Sequence, residues 1–218
     1  MFVNADEMER DLKTTQGFLA LRNLGIGGKA TEVLRRIKQS LKRSGLETRL
    51  DLPALLAGLT LDDTLTLRVP GPYDSYLAAA LAEAVRQELL DEGQTFTFET
   101  VMSHPSKIAF MEEARKRGYR VYLYFVATDD PDINIDRVHR RVLQGGHPVA
   151  DEKVVERYHR SIDLMTRACA VAHRAYIFDN SGSKHKLLAE VTDFDTIRLD
   201  ASLLNPWFLG TELWQAFS

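Results

Sequence analysis

Val121-Tyr-Leu-Tyr-Phe-Val126 is an unbroken apolar run with a helical pattern on each side. It is too short for a buried helix, and its β-branched and aromatic content makes it a strand. An unbroken run of this kind is expected where both faces are covered, as in a parallel sheet whose crossover helices lie above and below. The alternation continues in both directions. Leu77, Leu81, Val85 and Leu89 fall at helical spacing, with Asp74 as an N-cap and Gly93 just past the end. Phe96 to Phe98 reads as a strand. A helix entered through Ser103 and Pro105 carries Ile108, Met111 and Ala114 and closes at Gly118. Beyond 126 come a charged helix at about 132–143, a long helix from Asp151 with Val155, Tyr158, Ile162, Met165 and Cys169 on one stripe, and the strand Ala175-Tyr-Ile-Phe178. Strand, helix, strand in this order predicts an α/β fold with right-handed crossovers.

The first part of the chain is less regular. Phe2-Val3-Asn4 resembles a strand, residues 7–22 a helix, and residues 30–44 a basic helix ended by Gly45. Residues 46–72 carry Leu-Pro and Pro-Gly-Pro signals, which predict an irregular insertion with a short helix after Pro53 and a strand at Leu65–Val69. The tail from residue 200, with Trp207 and Trp214, is expected to pack back on the core. A chain of 218 residues fits a single domain, 1–218.

Composition removes several classes of function. A net charge of −3, from 28 basic and 31 acidic residues well mixed along the chain, gives no global pull toward nucleic acid or an anionic membrane. Cys169 is the only cysteine, which excludes an internal disulfide and places it as a small core residue. With no leader-like N-terminus and no apolar stretch of spanning length, the expected location is the cytoplasm.

Three groups of residues could carry chemistry. Asp6 and Glu99 each end a strand, and in a parallel sheet both would project into one crevice, where paired carboxylates could orient a hydroxyl, accept its proton or hold magnesium through water. Alternatively, Asp6 caps the following helix and Glu99 pairs with an arginine. The second group is basic: Arg137, Arg140, Arg141, Arg157 and Arg160, with Arg137/Arg141 and Arg157/Arg160 sharing helix faces across the Gly145-Gly146-His147 loop. Such a pair of faces could close over a polyphosphate, or the arginines could simply solvate their helices. The third is Asp179-Asn180, which either contacts a nucleotide base or forms an Asx turn. No second His, Cys or carboxylate stands at ligand spacing with His147, so no metal site is read there. Gly25-Ile-Gly-Gly-Lys-Ala-Thr31 fails as a phosphate loop: Asn23 stands where the first glycine belongs, and Ala30 where Ser or Thr should follow Lys29. No G-x-x-x-x-G-K-[ST] occurs in the 218 residues.

Together, Phe2-Val-Asn-Ala-Asp6, Phe96-Thr-Phe-Glu-Thr-Val-Met-Ser103, Gly118 to Val126, Arg137 to Arg141, Gly145-Gly-His147, Arg157-Tyr and Phe178-Asp-Asn-Ser181 resemble the zeta-toxin family of P-loop kinases, in the family's order. The resemblance implies a parallel sheet sandwiched by helices, lacking the first (Walker A) strand, with a mainly helical insertion at about 13–72 and a basic lid and long helix at 132–173. It implies transfer of the γ-phosphate of ATP, with Mg2+, to a hydroxyl of UDP-N-acetylglucosamine or a related metabolite. An antitoxin partner is implied as well. Asp6 would be the base, with Arg141 and Arg137 as catalytic cations. Glu99, Thr100, Ser103 and His147 would bind the acceptor, and Arg140, Arg157 and Asn180 the nucleotide. Glu99 is followed by Thr100-Val101 where the toxins proper have Gly-Thr, and the 13–72 insertion is long, so another acceptor is implied. Because the phosphate loop would precede Phe2, the 218 residues alone are expected to be a very poor kinase, and the rival expectation is a kinase-derived binding module that performs no transfer.

Overall fold

The computed structural model describes residues 1–200 and 204–218, in two compact units, Met1–Glu99 and Thr100–Ser218. Both are mixed α/β, with parallel strand pairs and flanking helices, consistent with a P-loop kinase-like fold.

In the first unit, β1 (Phe2–Val3) pairs in parallel with β5 (Thr97–Phe98), Phe2 opposite Thr97 and Val3 opposite Phe98. Between them lie α1 (Ala5–Thr14), β2 (Phe18–Ala20), α2 (Ala30–Lys42), α3 (Leu52–Gly58), β3 (Thr60–Leu61), β4 (Thr66–Arg68) and α4 (Ser75–Asp91). The helix expected over 7–22 starts earlier and ends at Thr14. There the single Thr15 hydroxyl proton is shared between the carbonyls of Asp11 (2.7 Å) and Phe18 (2.6 Å), and the chain turns through positive φ at Gln16 and Gly17 into β2. Gly17 cannot be replaced without strain: a Cβ there would lie 2.3 Å from the Tyr73 hydroxyl and 2.4 Å from the Val69 carbonyl oxygen. The 13–72 segment is mainly helical, as expected, and adds an antiparallel sheet of order β2-β4-β3, in which β4 is the strand expected at Leu65–Val69, while β2 and β3 are too short to show periodicity.

α4 is the centre of this unit. Leu77, Ala78, Leu81, Ala82, Val85 and Leu89 are all buried, so its apolar surface runs around the helix, and α1 and α2 both pack against it. Its buried polar groups are matched. Glu88, with 2% of its side chain accessible, takes a bidentate hydrogen bond from Arg36 of α2. Glu92, just past α4, accepts from the backbone N–H groups of Gly27 (2.8 Å) and Gly28 (2.9 Å) at the start of α2. Arg86 lies with its guanidinium 4.8 Å from the Phe98 ring.

The second unit contains α5 (Ser106–Lys116), β6 (Tyr122–Ala127), α6 (Pro131–Leu143), α7 (Asp151–Val171), β7 (Arg174–Asp179), β8 (Lys186–Thr192), β9 (Thr196–Leu199), α8 (Pro206–Leu209) and α9 (Glu212–Phe217). Its sheet has the order β6-β7-β8-β9, with β6–β7 parallel and the other two pairs antiparallel. The β8–β9 hairpin gives no sequence signal because Asp193 and Phe194, not an Asn-Gly pair, take the positive φ of its turn; the Phe194 ring packs edge-to-face on Phe217, 5.4 Å away. Strand β6 is not covered on both faces as its composition suggests. Leu123, Phe125 and Ala127 are buried, whereas Tyr122, Tyr124 and Val126 are 51%, 62% and 55% exposed, with Tyr124 stacked on Tyr176 of β7. Tyrosine tolerates such a position because its hydroxyl remains solvated. Trp207 and Trp214 pack against this core, as expected of the tail. Cys169 is buried, and burial pushes its thiol up to about 12, which leaves it chemically inert.

The Arg36–Glu88 pair yields a stability test. Burial raises the Glu88 carboxyl above its ordinary value, and the Arg36 guanidinium only partly opposes this. Arg36→Leu leaves a buried carboxylate unpaired and is expected to cost about 3 kcal/mol. That should lower the melting temperature by roughly 6–12 °C in calorimetry. A group with a raised folded pKa holds its proton longer in the native state, so its contribution to stability is greatest at low pH and is lost as pH rises through the folded value. The variant's deficit should therefore shrink as pH falls toward the carboxylate range, and Arg36→Leu with Glu88→Leu should recover most of the loss.

Candidate functional site

Functional side chains in open α/β sheets collect at the carboxyl ends of parallel strands. At the end of β1, Asn4 keeps an extended backbone (φ −128, ψ 127) and its side-chain oxygen caps α1, accepting from Asp6 N–H at 2.8 Å and Glu7 N–H at 3.2 Å. The cap is therefore Asn4 and not Asp6. Asp6 sits in the first turn of α1 with an exposed carboxylate that has no hydrogen-bond or ionic partner among the described residues. Glu99, one residue beyond β5, is exposed and receives a long hydrogen bond of 3.4 Å from the Asn4 side-chain amide. Among the described residues of this unit, the partner of Glu99 is the Asn4 amide and not an arginine. Sequence reasoning missed Asn4 as a site residue, although an Asn directly before a helical pattern is a cap signal.

Thr100 and Ser103 flank Met102, which is buried at a positive φ of 54° while its N–H donates to the Thr100 hydroxyl oxygen. Strain of this kind in a bulky residue costs on the order of 1–3 kcal/mol and fixes the course of the loop into α5.

In the second unit, the carboxyl ends of β6 and β7 are tied by a continuous set of hydrogen bonds. Asp179 accepts from Ser181 N–H, which is the Asx turn, and from the Ser181 hydroxyl; that hydroxyl oxygen accepts in turn from Asp129 N–H at 2.8 Å. Asn180 N–H donates to the Ala127 carbonyl, and Arg137 donates to the Asn180 carbonyl at 2.6 Å. Tyr158 of α7 donates to the Thr128 carbonyl at 2.8 Å, while Asn134 of α6 donates to the Thr128 hydroxyl. Burial raises the Tyr158 hydroxyl above its ordinary range, with the Asp129 and Asp130 carboxylates adding to it, so it stays a donor.

The basic residues divide by what they touch. Arg160 pairs with Glu156 on its own helix at 2.6 Å. Arg141 reaches the His147 carbonyl at 3.5 Å, and the loop closes tightly around it: Gly146 N–H donates to the Arg141 carbonyl, and a Cβ on Gly146 would lie 2.7 Å from Arg141 Cγ. Across the same loop, His139 Nε2 lies 2.9 Å from an Asp151 carboxylate oxygen, joining the end of α6 to the start of α7. Arg140 and Arg157 are exposed and hold no ionic partner among the described residues. Among those residues, no group of three or more His, Cys, Asp or Glu is placed to hold a metal ion, and no helix is long and apolar enough to cross a membrane.

A family model described as Zeta toxin matches residues 75–193, more than half of the chain. An uncharacterized protein of Haemophilus influenzae is 35% identical over 63 residues, a match that covers 29% of this chain and 45% of that relative, so the chain spans less than half of that relative's length. No solved structure matches.

The β6–β7 edge makes its own prediction. Arg137→Ala removes the donor to the Asn180 carbonyl, and amide exchange at Asn180 and Ser181 should accelerate about ten-fold, while exchange at the β8–β9 hairpin stays unchanged. Uniform acceleration across the unit would show that Arg137 serves global stability instead.

Proposed function

The chain belongs to the zeta toxin family, and from that membership we propose that it acts as an ATP- and Mg2+-dependent kinase on a hydroxyl of a small molecule, UDP-N-acetylglucosamine or a related metabolite. The observation that carries this reading is the free Asp6 carboxylate in the first turn of α1, the helix that follows β1, with Glu99 at the end of the adjacent parallel strand β5. Asp6 is the base that takes the proton of the acceptor hydroxyl, and its backbone is fixed by the first turn of α1. Glu99, Thr100, Ser103 and His147 bind the acceptor. Arg141, with Arg140 and Arg157, neutralises nucleotide phosphates, and Asn180 meets the base. Arg137 acts through the Asn180 carbonyl it holds rather than on phosphate. An antitoxin protein as partner and a cytoplasmic setting belong to the same reading.

Phosphoryl transfer depends on backbone amides and a lysine around the β and γ phosphates. Within these 218 residues the cations are present, but no phosphate-loop motif is, and the glycine amides at 27 and 28 already hold the Glu92 carboxylate. Mg2+ needs no protein cage, because it is ordinarily held by one or two carboxylates together with substrate phosphates and water. The commitment of those amides to Glu92 favours a second reading, a kinase-derived module that binds the acceptor and performs no transfer.

Calorimetry and a transfer assay separate the two. ATP with Mg2+ should bind these 218 residues at about 0.1 mM or weaker, roughly 5 kcal/mol of binding free energy. UDP-N-acetylglucosamine should bind, and Glu99→Gln should weaken it about ten-fold or more. Transfer of γ-phosphate that Asp6→Asn lowers by about a hundred-fold or more, with ATP affinity unchanged, supports the kinase. Acceptor binding without transfer supports the module, and micromolar ATP binding would refute the account of the phosphate contacts.

A further inference from the structure

We infer that Asn4 is a positioning residue that sets the direction of Glu99 relative to Asp6, an inference that rests on the reading of these two carboxylates as the acceptor side. The geometry comes from one planar group. The Asn4 oxygen accepts from two N–H groups at the start of α1, Asp6 at 2.8 Å and Glu7 at 3.2 Å, and this fixes which end of the carboxamide faces the helix. The NH2 end must then point the other way, where it donates to Glu99 Oε2 at 3.4 Å. Register brings the two together: Val3 is opposite Phe98, Asn4 continues β1 with an extended backbone, and the next residue along each strand is Asn4 on one and Glu99 on the other.

The identity of the residue follows from this double task. Ser, Thr and Asp cap helices as well as Asn does. Serine and threonine offer no amide donor to reach Glu99. Aspartate caps, but it sets a third carboxylate against Glu99 and Asp6. Asparagine alone among the good caps supplies an acceptor to the helix and a neutral donor to the neighbouring strand end through a single rigid group. The Asn4–Glu99 contact is long in the free protein, as hydrogen bonds in unliganded sites commonly are, and it should shorten when an acceptor draws Glu99 into place.

A helix cap alone and a positioning residue predict different orders among variants of the full chain. Melting temperature reports the cap: Asn4→Ser and Asn4→Asp should melt close to the wild type, and Asn4→Ala clearly lower. Affinity for UDP-N-acetylglucosamine, measured by calorimetry, reports the positioning. Asn4→Ser should bind about five-fold more weakly and Asn4→Asp about ten-fold or more, despite their preserved caps. Affinity that simply follows melting temperature across the three variants would overturn the inference. A second readout requires no ligand binding: the Asn4 side-chain amide resonances should shift in Glu99→Gln and stay in place in Glu7→Gln. An Asn4 amide indifferent to Glu99 overturns the inference. If the wild type binds no UDP-N-acetylglucosamine while that coupling is present, the acceptor assignment fails and the role of Asn4 stands.

Discussion

The first unit depends on the burial of α4. A helix with apolar residues on every side must be covered on every side, and each polar group it carries inward must find a partner there. Arg86, Glu88 and Glu92 therefore act as addresses. Glu88 selects Arg36 and so fixes the rotation of α2; Glu92 gathers the Gly27 and Gly28 amides and fixes where α2 begins; Arg86, lying over the Phe98 ring, holds β5 against the helix. Since β5 pairs with β1, the positions of Glu99 and Asn4 follow from the same burial. The glycine cluster at 25–28, which suggests phosphate binding at first sight, is part of this fastening. Its amides hold a carboxylate that the fold itself supplies.

How much of this was legible depends on how each feature is encoded. Long elements with many periodic positions could be read directly: the stripe Leu77, Leu81, Val85, Leu89 marks α4, and Val155, Ile162, Met165, Cys169 marks α7. Short elements are legible only in part. The strand read at Leu65–Val69 is β4 (Thr66–Arg68), whereas β2 and β3 give alternation no length over which to show and are defined by their pairing with β4. The end of α1 at Thr14 was missed because Thr15, Gln16 and Gly17 break the helix through hydroxyl bonds and positive φ, not through proline. Strand β6 was misjudged in burial because an apolar run reports composition, whereas exposure depends on what the surrounding elements cover.

The candidate residues show the same division. Asp6, Glu99 and the arginines are chemically conspicuous; the sequence puts Glu99 at its strand end and the arginines on their helices, whereas Asp6, expected at the end of β1, lies in the first turn of α1 because Asn4 caps that helix. Asn4, Tyr158 and Ser181 are not conspicuous, since their roles lie in contacts to backbone atoms that a linear pattern cannot show. For Asp179 the sequence allows a base contact or an Asx turn, and its bonds to Ser181 make it a turn residue that shapes the carboxyl end of β7.

Helical spacing pairs Arg137 with Arg141 and Arg157 with Arg160 on two basic faces, with Arg140 beside them, and the contacts within the second unit separate the five. Arg160 is engaged by Glu156 in an exposed pair of little energetic weight. Arg137 is committed to a backbone carbonyl at 2.6 Å, and redirecting it toward a ligand would strand that carbonyl. Arg140 and Arg157 are uncommitted, and Arg141 holds only a long contact to the loop that follows it. A cation that already satisfies a half-buried carbonyl stabilises architecture; a cation that is exposed and unpaired can neutralise an incoming phosphate without breaking anything first. By that criterion, under the proposed kinase reading, Arg140, Arg141 and Arg157 are the cations of this unit left to meet a phosphate, and Arg137 supports the loop beside them.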